Sequence, residues 1–263
     1  GKTVALKDNV ALAGVPMRNG SRVLEGYVPD EDATIVTRLL DAGAIIAGKA
    51  VCEDLCLSGG SFTTANAPVR NPYDPSRQTG GSSSGSAALV ANGDVDLAIA
   101  ADQGGSIRIP SCWCGVVGIK ATHGLVPYTG IFAMDPTLDH AGPVARTVRD
   151  AAVMLEVIAG PDGLDPRQLH PQPTGPFDFT SSLANTEQEA RQFLSSLRIG
   201  KLKEGFQTPA SDGAVDSMVN SALEKMQETG ASVVEVSVPM HNQAGHIWNL
   251  IGAEGIAVHQ FAY

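Results

Sequence analysis

Three short segments of the sequence carry lysine, serine and glycine in arrangements that could support nucleophilic catalysis. Lys7 follows a β-prone run, three serines at 82–84 lie between glycines, and Ser106 follows Gly104 and Gly105. A serine hydroxyl attacks a carbonyl when a base takes its proton, and a lysine can be that base where its surroundings favour the neutral amine. A second serine between the two can relay the proton. These segments therefore favour a serine nucleophile with a lysine base.

The stretch TGGSSSGSAALVANG, residues 79–93, has other interpretations. A flexible linker is disfavoured because the serines lead directly into an apolar helical pattern and a strand. A phosphate-binding loop needs Lys followed by Ser or Thr after its glycines, which this stretch lacks. GSSSG also fits the nucleophile elbow G-x-S-x-G, with Ser83 as nucleophile and His123 or His140 as base, but the elbow follows a hydrophobic strand and NPYDPSRQT does not resemble one. A Ser-His-Asp hydrolase stays open as the alternative.

A second Gly-Gly-Ser follows a predicted strand and Asp102. Successive N–H groups at such a turn can point at one oxygen and form an oxyanion hole. Asp102 and Arg108 are predicted to pair and brace this turn, and Ser83 to support the serine loop by hydrogen bonding. The N–H groups predicted to form the oxyanion hole belong to Gln103, Gly104, Gly105 and Ser106.

Strand and helix patterns alternate along the chain at the spacing of an α/β protein. Asp32 is predicted to cap the first helix, and a further helix starts at Ser106. We expect an α/β fold: a mixed, mostly parallel sheet covered by helices on both faces, in a single domain over 1–263 with a surface connection at 161–180. Predicted strands cover 3–6, 44–48 (buried), 95–101, 116–120, 198–202 and 231–238, and predicted helices cover 33–42, 52–57, 84–91, 147–159 and 212–229.

Composition excludes several classes of protein. The net charge of −10 disfavours contact with nucleic acid, whose backbone is also negative. No apolar run reaches the length of a membrane span and no signal-like segment opens the chain, so the sequence predicts a cytoplasmic protein without membrane contact. The four cysteines are too few for a disulfide framework, their spacing is not that of a zinc site, and they are interpreted as small buried side chains: Cys52, Cys56, Cys112 and Cys114.

The segments ALKDN, GGSSSGSAALVA and DQGGSIRIP…CGVVGIK together resemble the amidase signature family, serine hydrolases of amide bonds with a Ser-Ser-Lys triad. The resemblance covers about residues 1–165, including the later HAGPVARTVRDAA. By motif position it implies Ser106 as nucleophile, Ser82 as bridging serine and Lys7 as base. It also implies a cis peptide at Ser82, the amidase signature fold, and neither metal nor cofactor.

Two positions depart from the family pattern. Ala121 stands where members commonly have proline, and Gln103 where they often have threonine. ADQGGSIRIP with GLVPYTG is most similar to the broad-specificity amidases that accompany nitrile hydratases. Because family members are longer at both ends, the chain is expected to be a fragment with an incomplete fold.

The resemblance implies hydrolysis of a carboxylic acid amide to acid and ammonia through an acyl-enzyme, with a small-molecule amide as partner. One alternative is the glutaminase subunit of a tRNA-dependent transamidating complex, which shares these motifs. Another is a non-catalytic, truncated homologue that acts as a binding chain. The sequence leaves a homodimer open.

Overall fold

The computed structural model describes residues 1–168 and 173–262. Five of the described strands form a mixed sheet: β1 Thr3–Lys7, β2 Ile45–Ala50, β3 Leu97–Asp102, β4 Val117–Gly118 and β5 His140–Ala145. Their order across the sheet is β2-β1-β3-β5-β4. β1 pairs in parallel with β2 and β3, whereas β5 pairs antiparallel with β3 and β4. Because β1 and β3 are adjacent and parallel, their carboxyl ends meet at one end of the sheet.

Helices cover both faces of this sheet, as predicted. Every residue of β3 is buried, as expected for a strand with both faces covered. The helices of this part of the chain are α1 Thr34–Asp41, α2 Ser84–Asn92, α3 Arg108–Trp113 and α4 Val148–Ile158. On one face of the sheet, Leu6 and Ile99 belong to a core that includes side chains of α1 and α4. On the other face, Ala98 packs with Val90 of α2.

The chain divides into two compact units, one of residues 1–180 and 253 onwards and a second of residues 181–252. The remaining elements are α5 Glu187–Ser196, β6 Arg198–Leu202, α6 Gly213–Glu228, β7 Ser232–Val236 and α7 Ala244–Ala262. In the second unit, β6 and β7 pair in parallel and helix α6 connects them. Helix α7 continues past residue 252.

The mixed sheet and the predicted order of most elements are confirmed, but two predictions near the first helix are wrong. Asp32 does not cap α1: the N-cap residue is Ala33, and Asp32 Oδ1 instead accepts the N–H of Ala13 at 2.7 Å. The strand predicted as buried over 44–48 is β2, which lies at the edge of the sheet. Its residues are exposed or half-buried, except the last one, Ala50, which is buried.

Other differences come from backbone conformations that sequence patterns do not reveal. The helix predicted over 52–57 is a single 3₁₀ turn, because Leu55 and Cys56 adopt positive φ of 48° and 64°. The strand predicted over 116–120 has two residues. β5 was not predicted because Gly142 and Pro143 are unfavourable in strands, and α5 was also missed.

The segment predicted as a connection, 161–180, has no helix or strand in its described part; residues 169–172 lie outside the description. The single-domain organisation stays a prediction. No helix in the described part of the chain has the length and apolar character needed to cross a membrane.

Candidate active site

Lys7 and Ser82 come together at the carboxyl end of β1. Both side chains are fully buried, and Lys7 Nζ donates to Ser82 Oγ at 2.8 Å and to the carbonyl of Ala101 at 3.4 Å. The peptide bond between Gly81 and Ser82 is cis, as the resemblance implied. A Cβ at Gly81 would lie 1.9 Å from the carbonyl oxygen of Gly60, so only glycine fits there.

Two serines, Ser83 and Ser86, anchor the start of α2 to the sheet. Ser83 Oγ donates to the carbonyl of Ala101 at 3.1 Å and lies 3.4 Å from its N–H. Ser86 Oγ donates to the carbonyl of Ile99 at 2.9 Å. Because Ser83 is fully buried and its hydroxyl both donates to and accepts from Ala101 of β3, its position is that of a structural support.

Asp102 organises the turn that carries Ser106. Its carboxylate accepts the N–H groups of Gly105 at 2.8 Å and Ile107 at 3.1 Å, and the guanidinium of Arg108 at 2.9 and 3.0 Å. Burial alone would raise the pKa of Asp102, but Arg108 and the N–H groups outweigh it and hold that pKa below its ordinary value. The predicted pairing of Asp102 with Arg108 is therefore present, and the ionised carboxylate holds the turn.

Three of the four backbone N–H groups predicted to form the oxyanion hole are free in the described structure, and the prediction for the fourth, that of Gly105, is corrected. The Gly105 N–H is taken by Asp102 and so does not serve as a donor in this structure. Gly105 has a φ of 130°, a conformation that favours glycine. Among the described residues, the backbone N–H groups of Gln103, Gly104 and Ser106 have no hydrogen-bond acceptor. Ser106 is 8% exposed.

The second half of the predicted proton relay is not formed here. Within the described part of the chain, Ser106 Oγ makes no hydrogen bond to Ser82 Oγ, whereas the bond from Lys7 to Ser82 is in place. Catalytic hydrogen bonds often tighten only when substrate binds.

Sequence reasoning missed a buried polar network behind the turn. Gln103 Nε2 donates to Asp139 Oδ1 at 2.7 Å and to the Tyr128 hydroxyl at 3.2 Å, and Asn9 Nδ2 donates to the same hydroxyl at 3.4 Å. Burial raises the pKa of Asp139 to about 6, although the hydrogen bond from Gln103 opposes this. The guanidinium of Arg167 lies 4.6 Å from the centroid of the Tyr128 ring. These residues are far apart in sequence, so no motif indicates them.

Two of the four cysteines are more than buried apolar side chains. Cys52 and Cys56 are buried, and both sulfurs contact Asn19 Oδ1, at 3.4 and 3.1 Å. A hydrogen bond from Cys52 is the main influence that lowers the pKa of Cys56 to about 7; burial opposes it and neighbouring Lys7 reinforces it. Burial raises the pKa of Cys52.

The remaining cysteines and the histidines lie elsewhere. Cys114 is buried, whereas Cys112 is exposed, which corrects the prediction that Cys112 is buried.

His140 contacts Lys120 Nζ at 3.2 Å and packs edge-on against His123, with 5.3 Å between the ring centroids. Neither histidine is hydrogen-bonded to Ser83, which is the contact that the elbow hypothesis requires. In the described residues, no cluster of three or more His, Cys, Asp or Glu side chains could hold a metal ion.

A family model and several curated proteins are similar to this chain in sequence. The family model Amidase matches residues 1–261. An enantioselective amidase of Rhodococcus rhodochrous is 54% identical over 259 residues, which are 98% of this chain and 48% of the relative. A glutamyl-tRNA(Gln) amidotransferase subunit of Anaeromyxobacter sp. (strain K) is 44% identical, over 93% of this chain and 47% of the relative.

Solved structures show the same fold. A glutamyl-tRNA(Gln) amidotransferase subunit from Thermotoga maritima superimposes with a TM-score of 0.88 at 33% identity, covering 100% of this chain and 55% of that one. The native peptide amidase from Stenotrophomonas maltophilia gives 0.83 at 36% identity, covering 93% and 49%. The chain spans about half the length of the curated relatives it matches.

Proposed function

Since the chain belongs to the Amidase family, we propose that it hydrolyses the amide of a carboxylic acid to the acid and ammonia. The observation that carries the proposal is the buried hydrogen bond from Lys7 to Ser82, beside the turn of Ser106. A lysine enclosed in this way, with a hydroxyl as its neighbour, is placed to exchange a proton rather than to carry a solvated charge.

The proposed reaction begins with two proton transfers. Neutral Lys7 takes the hydroxyl proton of Ser82 while Ser82 takes that of Ser106, and Ser106 Oγ bonds to the amide carbon. The carbonyl oxygen becomes an oxyanion, held by the free N–H groups of the turn, each typically worth about 3 kcal/mol. The proton then passes from Lys7 through Ser82 to the amide nitrogen, the C–N bond breaks, and ammonia leaves.

The second half of the reaction consumes water. The same relay takes a proton from a water molecule, whose oxygen bonds to the acyl carbon. The oxyanion forms again, and collapse returns a proton to Ser106 and releases the acid. Atoms balance as amide plus water giving acid plus ammonia: the proton of Ser106 leaves with ammonia, and the proton taken from water replaces it.

A small-molecule amide in the cytoplasm is the substrate we propose, without nucleic acid as a direct partner. The relative from Rhodococcus rhodochrous is an enantioselective amidase, and the net charge of −10 disfavours a nucleic-acid backbone. A second candidate function is that of the glutaminase subunit in a transamidating complex. It is favoured by the likeness to glutamyl-tRNA(Gln) amidotransferase chains.

The test is ammonia release from aliphatic amides, aromatic amides and glutamine by the full-length protein. Release from simple amides supports the proposal, and release from glutamine alone favours the second candidate. A fluorophosphonate probe, which acylates activated serines, should label Ser106. Absence of both labelling and ammonia release would instead identify a non-catalytic homologue.

A further inference from the structure

Glu53 is a fully buried acidic residue that the proposed reaction does not use. Its Oε2 accepts the N–H groups of Phe62 at 2.9 Å and Thr63 at 2.7 Å, and the hydroxyl of Thr63 at 2.7 Å. Among the described residues Glu53 has no salt-bridge partner, and its Oε1 has no hydrogen-bond donor. Glutamate is rarely fully buried without a basic partner, because removing an acid from water costs free energy. Its presence here calls for an explanation.

The backbone on either side of Ser82 contacts both Glu53 and the segment that its carboxylate binds, residues 59–63. The N–H of Glu53 donates to the carbonyl of Ser82 at 3.1 Å. The N–H of Gly81 donates to the carbonyl of Gly59 at 2.9 Å. A Cβ added at Gly81 would lie 3.1 Å from Cγ of Glu53, so the side chain also packs closely against this backbone.

The carboxylate of Glu53 connects these contacts. By accepting three hydrogen bonds from Phe62 and Thr63, it fixes segment 59–63 relative to the main chain of Glu53. Glu53 and this segment together fix the backbone of Ser82. A proton relay depends on such placement, since a displacement of about 1 Å can slow a reaction by about a hundredfold.

We propose that Glu53 is a positioning residue for the bridging serine. It acts through the backbone of Gly81 and Ser82, and keeps Ser82 Oγ at hydrogen-bond distance from Lys7 Nζ and within reach of Ser106. This inference rests on the proposed function and adds to its relay a residue that no motif in the sequence indicated. It also explains why an acid, rather than an apolar side chain, fills this buried position.

Three variants weaken the contact to different degrees. Glu53→Met keeps the length of the side chain and removes every acceptor, Glu53→Gln keeps one acceptor oxygen, and Thr63→Val removes only the hydroxyl. The measurement is kcat and KM of the full-length protein for ammonia release from a simple amide. Glu156→Met is the matched control, because Glu156 also accepts a backbone N–H, that of Thr180 at 2.6 Å, and lies on α4.

The loss should appear in kcat, because the relay acts on the chemical step. Glu53→Gln should lower kcat by at least about tenfold and change KM by less than about threefold. Glu53→Met should lower kcat further, so that the conservative variant restores part of the activity. Thr63→Val should have the smallest effect of the three, and Glu156→Met should keep the wild-type kcat and KM.

A second measurement separates the positioning of Ser82 from a general loss of structure. The rate constant for labelling of Ser106 by a fluorophosphonate is measured for Glu53→Gln in the wild-type background and in Ser82→Ala. Labelling can be followed over hours, so the slow Ser82→Ala protein is still measured. Glu53→Gln should slow labelling by at least about fivefold in the first background and by less than about twofold in the second, because independent effects multiply and effects through one group do not.

Equal slowing in both backgrounds would overturn the inference, because it would show that Glu53 affects Ser106 without Ser82. An unchanged kcat in both Glu53 variants, or a loss found mainly in KM, would overturn it as well. If Glu53→Met does not fold, Glu53→Gln and Thr63→Val decide the question. A wild-type protein that neither releases ammonia nor takes up the probe refutes the proposed function itself, and is thereby told apart from a failure of this inference alone.

Discussion

Lys7 Nζ and Ser82 Oγ form a hydrogen bond of 2.8 Å between two side chains that are fully buried. β1 brings Lys7 to the end of the sheet where β3 also ends, and Ser83 and Ser86 attach the start of α2 to β3. The contact thus depends on the pairing of two parallel strands that lie far apart along the chain.

Ser106→Ala should lower kcat for amide hydrolysis by at least about a thousandfold, because removal of the nucleophile leaves only binding and oxyanion stabilisation. The measurement is ammonia release, together with intact-mass detection of the acyl-enzyme. Ser83→Ala is the matched control: it should still form the acyl-enzyme, and lose about 1 kcal/mol of stability with its bond to Ala101. An acyl group found on Ser83 would restore the elbow hypothesis.

Lys7→Met should also remove most of the activity, because the variant keeps the length of the side chain and loses the base. The measurement is kcat/KM for ammonia release. His123→Ala and His140→Ala are the controls and should keep most of the activity, because neither histidine is hydrogen-bonded to Ser83. A Lys7→Met variant with a near-normal rate, together with loss of activity on either histidine change, would establish a histidine base instead.

Asp102→Asn should destabilise the fold and weaken catalysis together, since the carboxylate holds Gly105, Ile107 and Arg108. Loss of these charge-assisted bonds is expected to cost about 2 kcal/mol at neutral pH, measured by urea unfolding. The pKa of Asp102 lies below its ordinary value, so its contribution is present at neutral pH and is lost as the pH falls through that lowered pKa. The stability difference between wild type and variant should therefore shrink in acid.

The sequence predicted the strands of Lys7 and of Asp102 because short apolar runs ended by a polar residue are strong local signals. It also predicted the pair of Asp102 and Arg108, six residues apart around one turn. It could not predict that Gly105 gives its N–H to Asp102, since the choice between inward and outward N–H groups depends on the φ of 130° at that glycine. Motif position suggested four donors where the backbone leaves three unoccupied in the described chain.

The network of Gln103, Tyr128 and Asp139 was beyond sequence reasoning for a different reason. Its members are 25 and 36 residues from Gln103 along the chain and share no periodicity. Asp139 precedes β5, the strand that glycine and proline concealed. Only the antiparallel pairing of β5 with β3, in which His140 lies opposite Asp102, brings Asp139 next to Gln103.

Asp139 provides the last prediction, on the pH dependence of stability. Burial is the largest influence on its carboxyl group and raises its pKa from 3.8 to about 6, against opposing hydrogen bonds from Gln103 and the N–H groups of Met134 and Asp135 and the charge of Arg167. A raised pKa means that the folded protein binds this proton more tightly than the unfolded chain. The contribution of Asp139 to stability is then complete below its ordinary pKa and is lost as the pH rises through about 6.

The measurement is the free energy of unfolding in urea at about pH 4.5, 5.5 and 7.5, on either side of the raised pKa, for the wild type and Asp139→Asn. Asparagine keeps an oxygen for the backbone N–H groups of Met134 and Asp135 and cannot ionise. The pH dependence that other titratable groups give to stability therefore largely cancels when the wild type is compared with the variant. A shift from 3.8 to about 6 corresponds to a loss of about 2 kcal/mol over this range, because part of the full contribution of about 3 kcal/mol is already lost at pH 4.5. The wild type should therefore lose stability relative to the variant as the pH rises. A difference that stays constant, or that grows in favour of the wild type with pH, would show that Asp139 ionises in the folded protein as readily as in the unfolded chain.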